Sequence, residues 1–314
     1  MSQLFELNKN NLKEISEKNF DLEKDIQDIV ESNVEKLFDL KLVKSEFIIN
    51  NYRLDSLCFD EDKKSFVIIE YKKNQSYSVI DQGYSYLSAM LNNKSDFILE
   101  FNENMNASIK RDEIDWSQSR IIFISPSFSS YQKDSVNFRD MPFDLYEIKK
   151  FSNKYVSLNK LISESKESIN KVTKRNKSLI NKVADEIKVY SEDDVLKNRN
   201  EMRELYELLK EEVLKFQGSE LVAARNYMTL KKNNKIVAYI GVQVKNIDIG
   251  IIRRLSFKNQ VDKAKISYEI KDPKKIFSIH KPDNRREIYR YKFNNDKDFN
   301  FLIDVLKHAF DSKK

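Results

Sequence analysis

The segment Ser65 to Lys73, SFVIIEYKK, constrains the fold more than any other part of this chain. An apolar run rich in β-branched residues follows the polar turn at 61–64, which predicts a buried strand. Successive side chains of a strand point to opposite faces, so Glu70 and Lys72 share one face and Tyr71 points to the other. The sequence therefore places a carboxylate and an amine together at the end of a buried strand.

The elements around this strand predict an α/β (α+β) domain that ends near residue 160. Apolar residues at three- and four-residue steps indicate helices at 21–40 and 78–92. Further extended segments are expected at 47–59, with a turn at Asn50-Asn51, and at 97–101, 120–125 and 143–148.

The rest of the chain predicts a second, smaller α+β domain over 191–314, joined to the first by a charged helical linker at 161–190. A helix is expected at 199–216 and a closing helix at 298–310. The strands between them are expected at 225–231, 235–244, 247–256, 265–271 and 287–293.

Composition excludes several kinds of site. The chain has 314 residues and four glycines, whose spacing fits neither a P-loop nor a GxGxxG loop. One cysteine and two histidines cannot form the usual Cys/His zinc site, so any metal must be held mainly by carboxylates, which favours magnesium or manganese. The longest hydrophobic run is five residues, no basic-then-apolar leader is visible, and a cytoplasmic protein without a membrane span is expected.

Charge is unevenly distributed along the chain. Residues 1–160 hold 22 basic and 27 acidic residues, for a net charge of −5. Residues 161–314 hold 34 basic and 23 acidic residues, for a net charge of +11. This pattern fits a carboxylate site beside a module that binds a polyanion, although a lysine- and asparagine-rich composition that merely fluctuates would also produce it.

Asp55 and Glu70 are the candidate metal-binding pair. Two carboxylates brought together repel each other unless a divalent cation neutralises them, and a lysine beside them can stabilise developing negative charge. On the following helix Gln82 and Tyr86 lie four residues apart on one face. On the helix at 21–40, Glu23 falls near the middle of the apolar face and Glu31 at its edge, and a carboxylate there needs a partner or a metal.

These residues, in this order, resemble the PD-(D/E)XK nuclease superfamily, and within it the NucS/DUF91-like, RecB-like proteins. The similarity covers about residues 20–150 and is carried by LEKDIQDIVESN, RLDSL, FVIIEYKK and VIDQGYSYL. Leu54 replaces the proline of the family name, and Tyr52 replaces a glycine often found two residues earlier. The C-terminal third looks like the DUF5655 domain that often follows this nuclease domain.

The resemblance implies a restriction-endonuclease-like mixed sheet flanked by helices and a role for each matching residue. Asp55 and Glu70 would bind the metal with the backbone carbonyl of Tyr71, and Lys72 would be the catalytic lysine. Gln82 would support the site with Tyr86 beside it, and the helical acid would be either Glu23 or Glu31.

The expected function is Mg²⁺- or Mn²⁺-dependent hydrolysis of DNA phosphodiester bonds by an endonuclease, in DNA repair or defence. The expected partner is nucleic acid, with a homodimer as the default assembly. The candidate nucleic-acid contacts are Arg53, Lys73, Arg253, Arg254, Arg285 and Arg286. Two alternatives stay open: a catalytically inactive nuclease-fold protein that binds nucleic acid, and a scaffold in which both domains serve assembly.

Overall fold

The computed structural model describes residues 4–73, 79–138, 140–152, 154–162, 179–256, 265–266, 270, 272, 275–283 and 286–313. The chain forms two compact units. The first comprises residues 1–36 and 40–189, and the second comprises residues 190–314 together with the short segment 37–39. The second unit thus begins one residue before the expected start of the C-terminal domain.

The first unit is built on one mixed sheet. Its elements, in chain order, are the strands β1 (Leu4–Asn8), β2 (Asn11–Ile15) and β3 (Glu17–Lys18), the helices α1 (Glu23–Glu31) and α2 (Val34–Phe38), the strands β4 (Lys41–Ile49), β5 (Tyr52–Asp60) and β6 (Ser65–Tyr71), the helices α3 (Val79–Asn92) and α4 (Lys94–Met105), the strand β7 (Arg120–Ser125), the helix α5 (Ser130–Ser135), the strands β8 (Phe143–Phe151) and β9 (Tyr155–Leu161), and the helix α6 (Leu179–Glu186). Within the sheet the order is β3-β8-β7-β6-β5-β4, with β9 also paired to β8, while β1 and β2 form a separate hairpin.

The central strand β6 lies between an antiparallel and a parallel neighbour. It pairs antiparallel with β5 and parallel with β7, which in turn runs parallel to β8. The parallel pair requires a crossover, which α3 and α4 supply. Every residue of β6 is buried, as its apolar run predicts. The expected fold class, an α+β restriction-endonuclease-like mixed sheet flanked by helices, is confirmed.

Three sequence predictions for this unit are wrong in detail. The expected strand at 97–101 is part of helix α4, because Phe97 and Phe101, both buried, lie one helical turn apart. The expected single helix at 21–40 breaks after α1, where the Asn33 side chain donates to the carbonyl of Ile29 at 2.8 Å and competes with the helical hydrogen bonds.

The third difference concerns residues 155–190. Strand β9 occupies Tyr155–Leu161, after the point where the last strand was expected. Helix α6 was expected within a linker, but its Val183, together with Ile187 just beyond it, lies in the apolar core of the first unit. The remainder of the expected linker, 163–178, lies outside the described residues.

The second unit is an antiparallel sheet with helices on its apolar face. Its elements are α7 (Glu192–Leu196), α8 (Arg203–Leu214), β10 (Ser219–Ala223), β11 (Met228–Lys232), β12 (Lys235–Val242), β13 (Ile247–Ser256), β14 (Lys265–Ile266), β15 (Ser278–Asp283), β16 (Arg286–Phe293) and α9 (Phe299–Ser312). The strand order is β10-β11-β12-β13-β16-β15, with β14 paired to β13. Leu209 of α8 and Leu306 of α9 lie in one core with Ile249 of β13.

Within the ranges that the structure describes, no helix combines the length and the apolar composition needed to cross a membrane.

Candidate active site

Asp55 and Glu70 lie on neighbouring strands at the same level of the sheet. Ser56 of β5 pairs with Ile69 of β6, and the two acids each lie one residue beyond that pair. The backbone N–H of Tyr71 donates to Asp55 Oδ2 at 2.9 Å, which fixes this carboxylate against the end of β6. Strand pairing therefore brings together two carboxylates that are 15 residues apart in the sequence.

The two oxygens of Glu70 have different surroundings. Its Oε1 accepts hydrogen bonds from Lys72 Nζ at 2.8 Å and from Gln82 Nε2 at 2.7 Å. Its Oε2 is buried and has no hydrogen-bond partner among the described residues. A buried carboxylate oxygen without a partner is energetically costly, so this atom lacks the donor or cation that would offset its burial.

Burial and charge raise the pKa of Glu70. Removal from water is the larger cause and the nearby Asp55 carboxylate the second, and together they outweigh Lys72 and Gln82 and bring the pKa to about 7. Burial also raises the pKa of Asp55, against the opposing hydrogen bond from the Tyr71 N–H. Without a cation the two acids thus disfavour each other's ionisation.

Lys72 keeps its positive charge. Burial alone lowers the pKa of its ammonium. The carboxylates of Glu70 and Asp55 raise this pKa by more than burial lowers it, so the net shift is upward. The side chain is therefore a cation at neutral pH and can stabilise negative charge, whereas it cannot accept a proton.

Gln82 and Tyr86 of helix α3 extend this hydrogen-bond network. Gln82 Nε2 donates to the Tyr86 hydroxyl at 2.9 Å as well as to Glu70. The Tyr86 hydroxyl donates to the backbone carbonyl of Arg53 at 3.2 Å. The glutamine amide is thereby held in one orientation between the strand carboxylate and the helix.

The two candidate helical acids have different positions. Glu23 is the first residue of α1 and is exposed, contrary to its expected place in the middle of the apolar face, because the helix begins later than the sequence pattern indicated. Its carboxylate accepts a hydrogen bond from the backbone N–H of Lys73 at 2.9 Å, just past the end of β6. Its negative charge contributes to raising the pKa of both Asp55 and Lys72. Glu23 therefore lies at the same end of β6 as the carboxylate pair.

Glu31, at the other end of α1, contacts a different part of the sheet. Its Oε1 accepts from the Ser56 hydroxyl at 2.6 Å and from Gln27 Nε2 at 2.9 Å. Ser56 in turn lies 2.9 Å from the hydroxyl of Tyr71, whose side chain points away from the face that carries Glu70. No hydrogen bond between Glu31 and either Asp55 or Glu70 is found in the described part of the chain.

The donor set suits a hard divalent cation. Asp55 and Glu70 offer carboxylate oxygens, and Tyr71, which follows Glu70, offers a backbone carbonyl. The described residues include no group of three or more His, Cys, Asp and Glu side chains placed to hold a metal. Two carboxylates completed by carbonyl and water oxygens fit magnesium or manganese better than zinc.

The candidate nucleic-acid contacts fall into two groups. Arg53 and Lys73 are exposed beside the carboxylate pair. Arg253 is buried and forms an ion pair with Glu287, so the Arg253 guanidinium is not presented to solvent. Glu287 also forms an ion pair with Lys281 at 2.8 Å. Arg286 lies on β16 opposite Arg254 of β13. The side chain of Arg254 and the whole of Arg285 lie outside the described residues.

Sequence reasoning missed one buried polar residue, Gln27. It lies on the inner face of α1 between Ile26 and Val30 and donates to the backbone carbonyl of Asp55 at 3.1 Å. A polar residue on the apolar face of the predicted helix was the available signal, since a buried amide requires partners.

Fold and site together define the class: an α+β protein with a restriction-endonuclease-like mixed sheet and a carboxylate pair with a lysine at the ends of adjacent strands. No protein-family model matches the sequence. The chain is 41% identical over 251 residues to an uncharacterized protein of Haemophilus influenzae, spanning 79% of this chain and 83% of that protein. It therefore belongs to the same family as the Haemophilus protein.

Among solved structures, a repair endonuclease from Pyrococcus abyssi matches with a TM-score of 0.22 and 17% identity. The match covers 38% of this chain and 45% of that one, so the chain spans less than half of its length. At this TM-score the likeness supports no inference about activity.

Proposed function

We propose that this protein is a metal-dependent nuclease that hydrolyses DNA phosphodiester bonds. The observation that carries the proposal is the state of Glu70: it is buried beside Asp55, its Oε1 is held by Lys72 and Gln82, and its Oε2 has no partner among the described residues. Such a carboxylate pair is costly unless a cation binds it, and a lysine bound to the same carboxylate is suited to phosphoryl chemistry.

Each residue has a defined role in this proposal. Asp55, Glu70 and the Tyr71 carbonyl would hold Mg²⁺ or Mn²⁺, which when bound supplies Lewis-acid activation of water and phosphate. The Lys72 ammonium orients the attacking water and stabilises the negative charge that develops on the phosphate. Gln82 fixes the orientation of Glu70 and is itself held by Tyr86.

DNA as the substrate is supported by charge. The second half of the chain carries a net charge of +11, and Arg53 and Lys73 are exposed beside the carboxylate pair. Exposed cations beside the carboxylate pair would bind backbone phosphates of a nucleic acid. A role in DNA repair or defence and a homodimeric assembly belong to the same proposal, and light scattering would test the second.

The test is cleavage of a labelled panel of plasmid, duplex, single-stranded, splayed and mismatched DNA and of RNA, with Mg²⁺, Mn²⁺ or EDTA. We expect DNA cleavage that requires the metal and falls by about 10²-fold or more in Glu70→Gln and in Lys72→Met. Asp28→Asn, an exposed carboxylate on the outer face of α1, is the matched control and should retain wild-type activity.

Metal-independent cleavage, or full activity in either site variant, would overturn the proposal. Binding of DNA without any cleavage would favour the non-catalytic nucleic-acid-binding protein instead. Cleavage of RNA alone would keep the chemistry and change the substrate.

A further inference from the structure

Gln27 is a buried amide on the inner face of helix α1. Its side chain is 5% exposed, in a helix whose other inward residues are apolar. The Nε2 atom lies 2.9 Å from Glu31 Oε1, 3.1 Å from Ser45 Oγ and 3.1 Å from the backbone oxygen of Asp55. Two N–H groups are thus shared among three acceptors, and one of these belongs to a residue of the carboxylate pair.

The backbone of Asp55 lies where the sheet is irregular. In the register of β4 and β5, Ser45 pairs with Ser56 and Phe47 with Leu54, so Glu46 stands opposite Asp55. Glu46 has φ +52°, a left-handed conformation that is strained for a non-glycine residue. Leu54 and Leu57, three residues apart, pack in the same apolar cluster, so the strand alternation is interrupted between them.

Gln27 supplies a hydrogen bond to Asp55 at this irregularity. Its amide binds the carbonyl of Asp55 from helix α1, while the Tyr71 N–H binds the carboxylate of Asp55 from strand β6. Glu31, the second partner of Gln27, accepts from Ser56, and Ser56 contacts the Tyr71 hydroxyl. The amide is therefore linked to Asp55 and to the residue that follows Glu70.

We propose that Gln27 is a positioning residue that sets the place of the Asp55 carboxylate relative to Glu70, and thereby the affinity of the pair for a divalent cation. The proposal rests on the proposed function only for the identity of the metal site. Partners that orient metal-binding side chains typically change metal affinity by about 10- to 100-fold when removed.

The test measures cation binding directly as well as activity. Isothermal titration of the full chain with Mn²⁺ and with Mg²⁺ gives the dissociation constant for wild type and for Gln27→Met, which keeps the length of the side chain and removes its donors. We expect the dissociation constant to rise about 10-fold. The concentration of metal that gives half-maximal cleavage should rise by the same factor, while the rate at saturating metal changes much less.

A general loss of stability is separated by matched variants. Ile26→Val removes one buried methyl group from the same helix and keeps the Gln27 amide, and it should leave the dissociation constant unchanged. If Gln27→Met does not fold, Gln27→Asn retains an amide that is one methylene too short to reach Asp55 and should show the same shift.

The outcomes distinguish this inference from the proposed function. Equal Mn²⁺ affinity in wild type and the Gln27 variants would overturn the positioning role and leave the nuclease proposal in place. Weaker binding in the variants, in a protein that cuts no nucleic acid, would support the positioning role and overturn the nuclease proposal. Absence of Mn²⁺ and Mg²⁺ binding by wild type would overturn both.

Discussion

Glu70 makes the stability of the metal-free protein depend on pH. Its pKa in the folded protein is about 7, against 4.5 for an unperturbed glutamate. A carboxyl whose folded pKa is raised binds its proton more tightly in the folded than in the unfolded state, so its stabilising contribution is complete below about pH 4.5 and is lost as the pH rises through about 7.

We therefore expect the free energy of unfolding of metal-free wild type to fall relative to that of Glu70→Gln between pH 5 and pH 8. Urea unfolding in EDTA at several pH values measures this difference. Because the variant lacks the titrating group, ionisations far from Glu70 cancel in the comparison. A difference that is flat or rises with pH would contradict the assigned pKa shift.

The Glu-x-Lys pair could be predicted from sequence because it depends only on the two-residue period of a strand. Its contact with Asp55 depends on the register of the hairpin that joins β5 to β6 across the turn at 61–64, and the sequence pattern alone does not fix that register. Glu23 and Glu31 could not be separated, because the choice depends on where α1 begins. The hydrogen bonds of Gln27 depend on the packing of α1 against β4 and β5, which the sequence pattern does not specify.

Helix α3 holds Gln82 and Tyr86 in place through a close approach at Gly83. A Cβ added to Gly83 would lie 2.6 Å from Phe143 Cζ and 2.7 Å from its Cε1. The Phe143 ring is itself packed against Tyr84 and Phe123 at centroid distances of 5.1 Å and 5.8 Å. The ring has little room to move, so glycine lets α3 pack closely against the Phe143 side chain of β8.

Gly83→Ala should therefore destabilise the protein by about 1–3 kcal/mol through overpacking. This cost exceeds the gain of roughly 1 kcal/mol or less that alanine brings to a helix interior. Chemical denaturation of Gly83→Ala, Phe143→Leu and the double variant measures the effect. The loss of stability in the double variant should be smaller than the sum of the two single losses. Strict additivity would show that the two residues do not compete for space.

At the scale of elements, the sequence predicted helix α3 well because its apolar residues recur at helical spacing. It predicted strands β6 and β7 well because each is a short apolar run rich in β-branched residues. It failed at 97–101, where a short apolar run fits a buried strand and one helical turn equally. Strand β9 was missed because none of its residues is fully buried, so it lacks the apolar alternation that marks a strand.

At the scale of the whole molecule, the uneven charge predicts a strong effect of salt on nucleic-acid binding. Affinity for a labelled DNA in EDTA should fall linearly on a log–log plot against salt, with a slope of about −0.9 per phosphate neutralised. Arg53→Met should reduce the magnitude of this slope by about 1, because Arg53 is exposed beside the carboxylate pair. Fluorescence anisotropy at four or more salt concentrations measures it.

Lys24→Met is the control for that series, since Lys24 forms an exposed ion pair with Asp28 on α1. It should leave the slope within error of wild type. An equal change in both variants would mean that net charge, and not the position of Arg53, determines binding.

The placement of helix α6 decides where this chain can be dissected. Val183 and Ile187 complete the apolar core that α3 shares with the sheet, and the N–H of Lys188 donates to the carbonyl of Ser117 at 2.9 Å. The sequence pattern sets the limit of the domain near residue 160. A truncated chain ending there would expose to water the apolar surface that Val183 and Ile187 cover, and such a surface is prone to self-association. A soluble fragment for isolating the nuclease-like unit should extend through Val189.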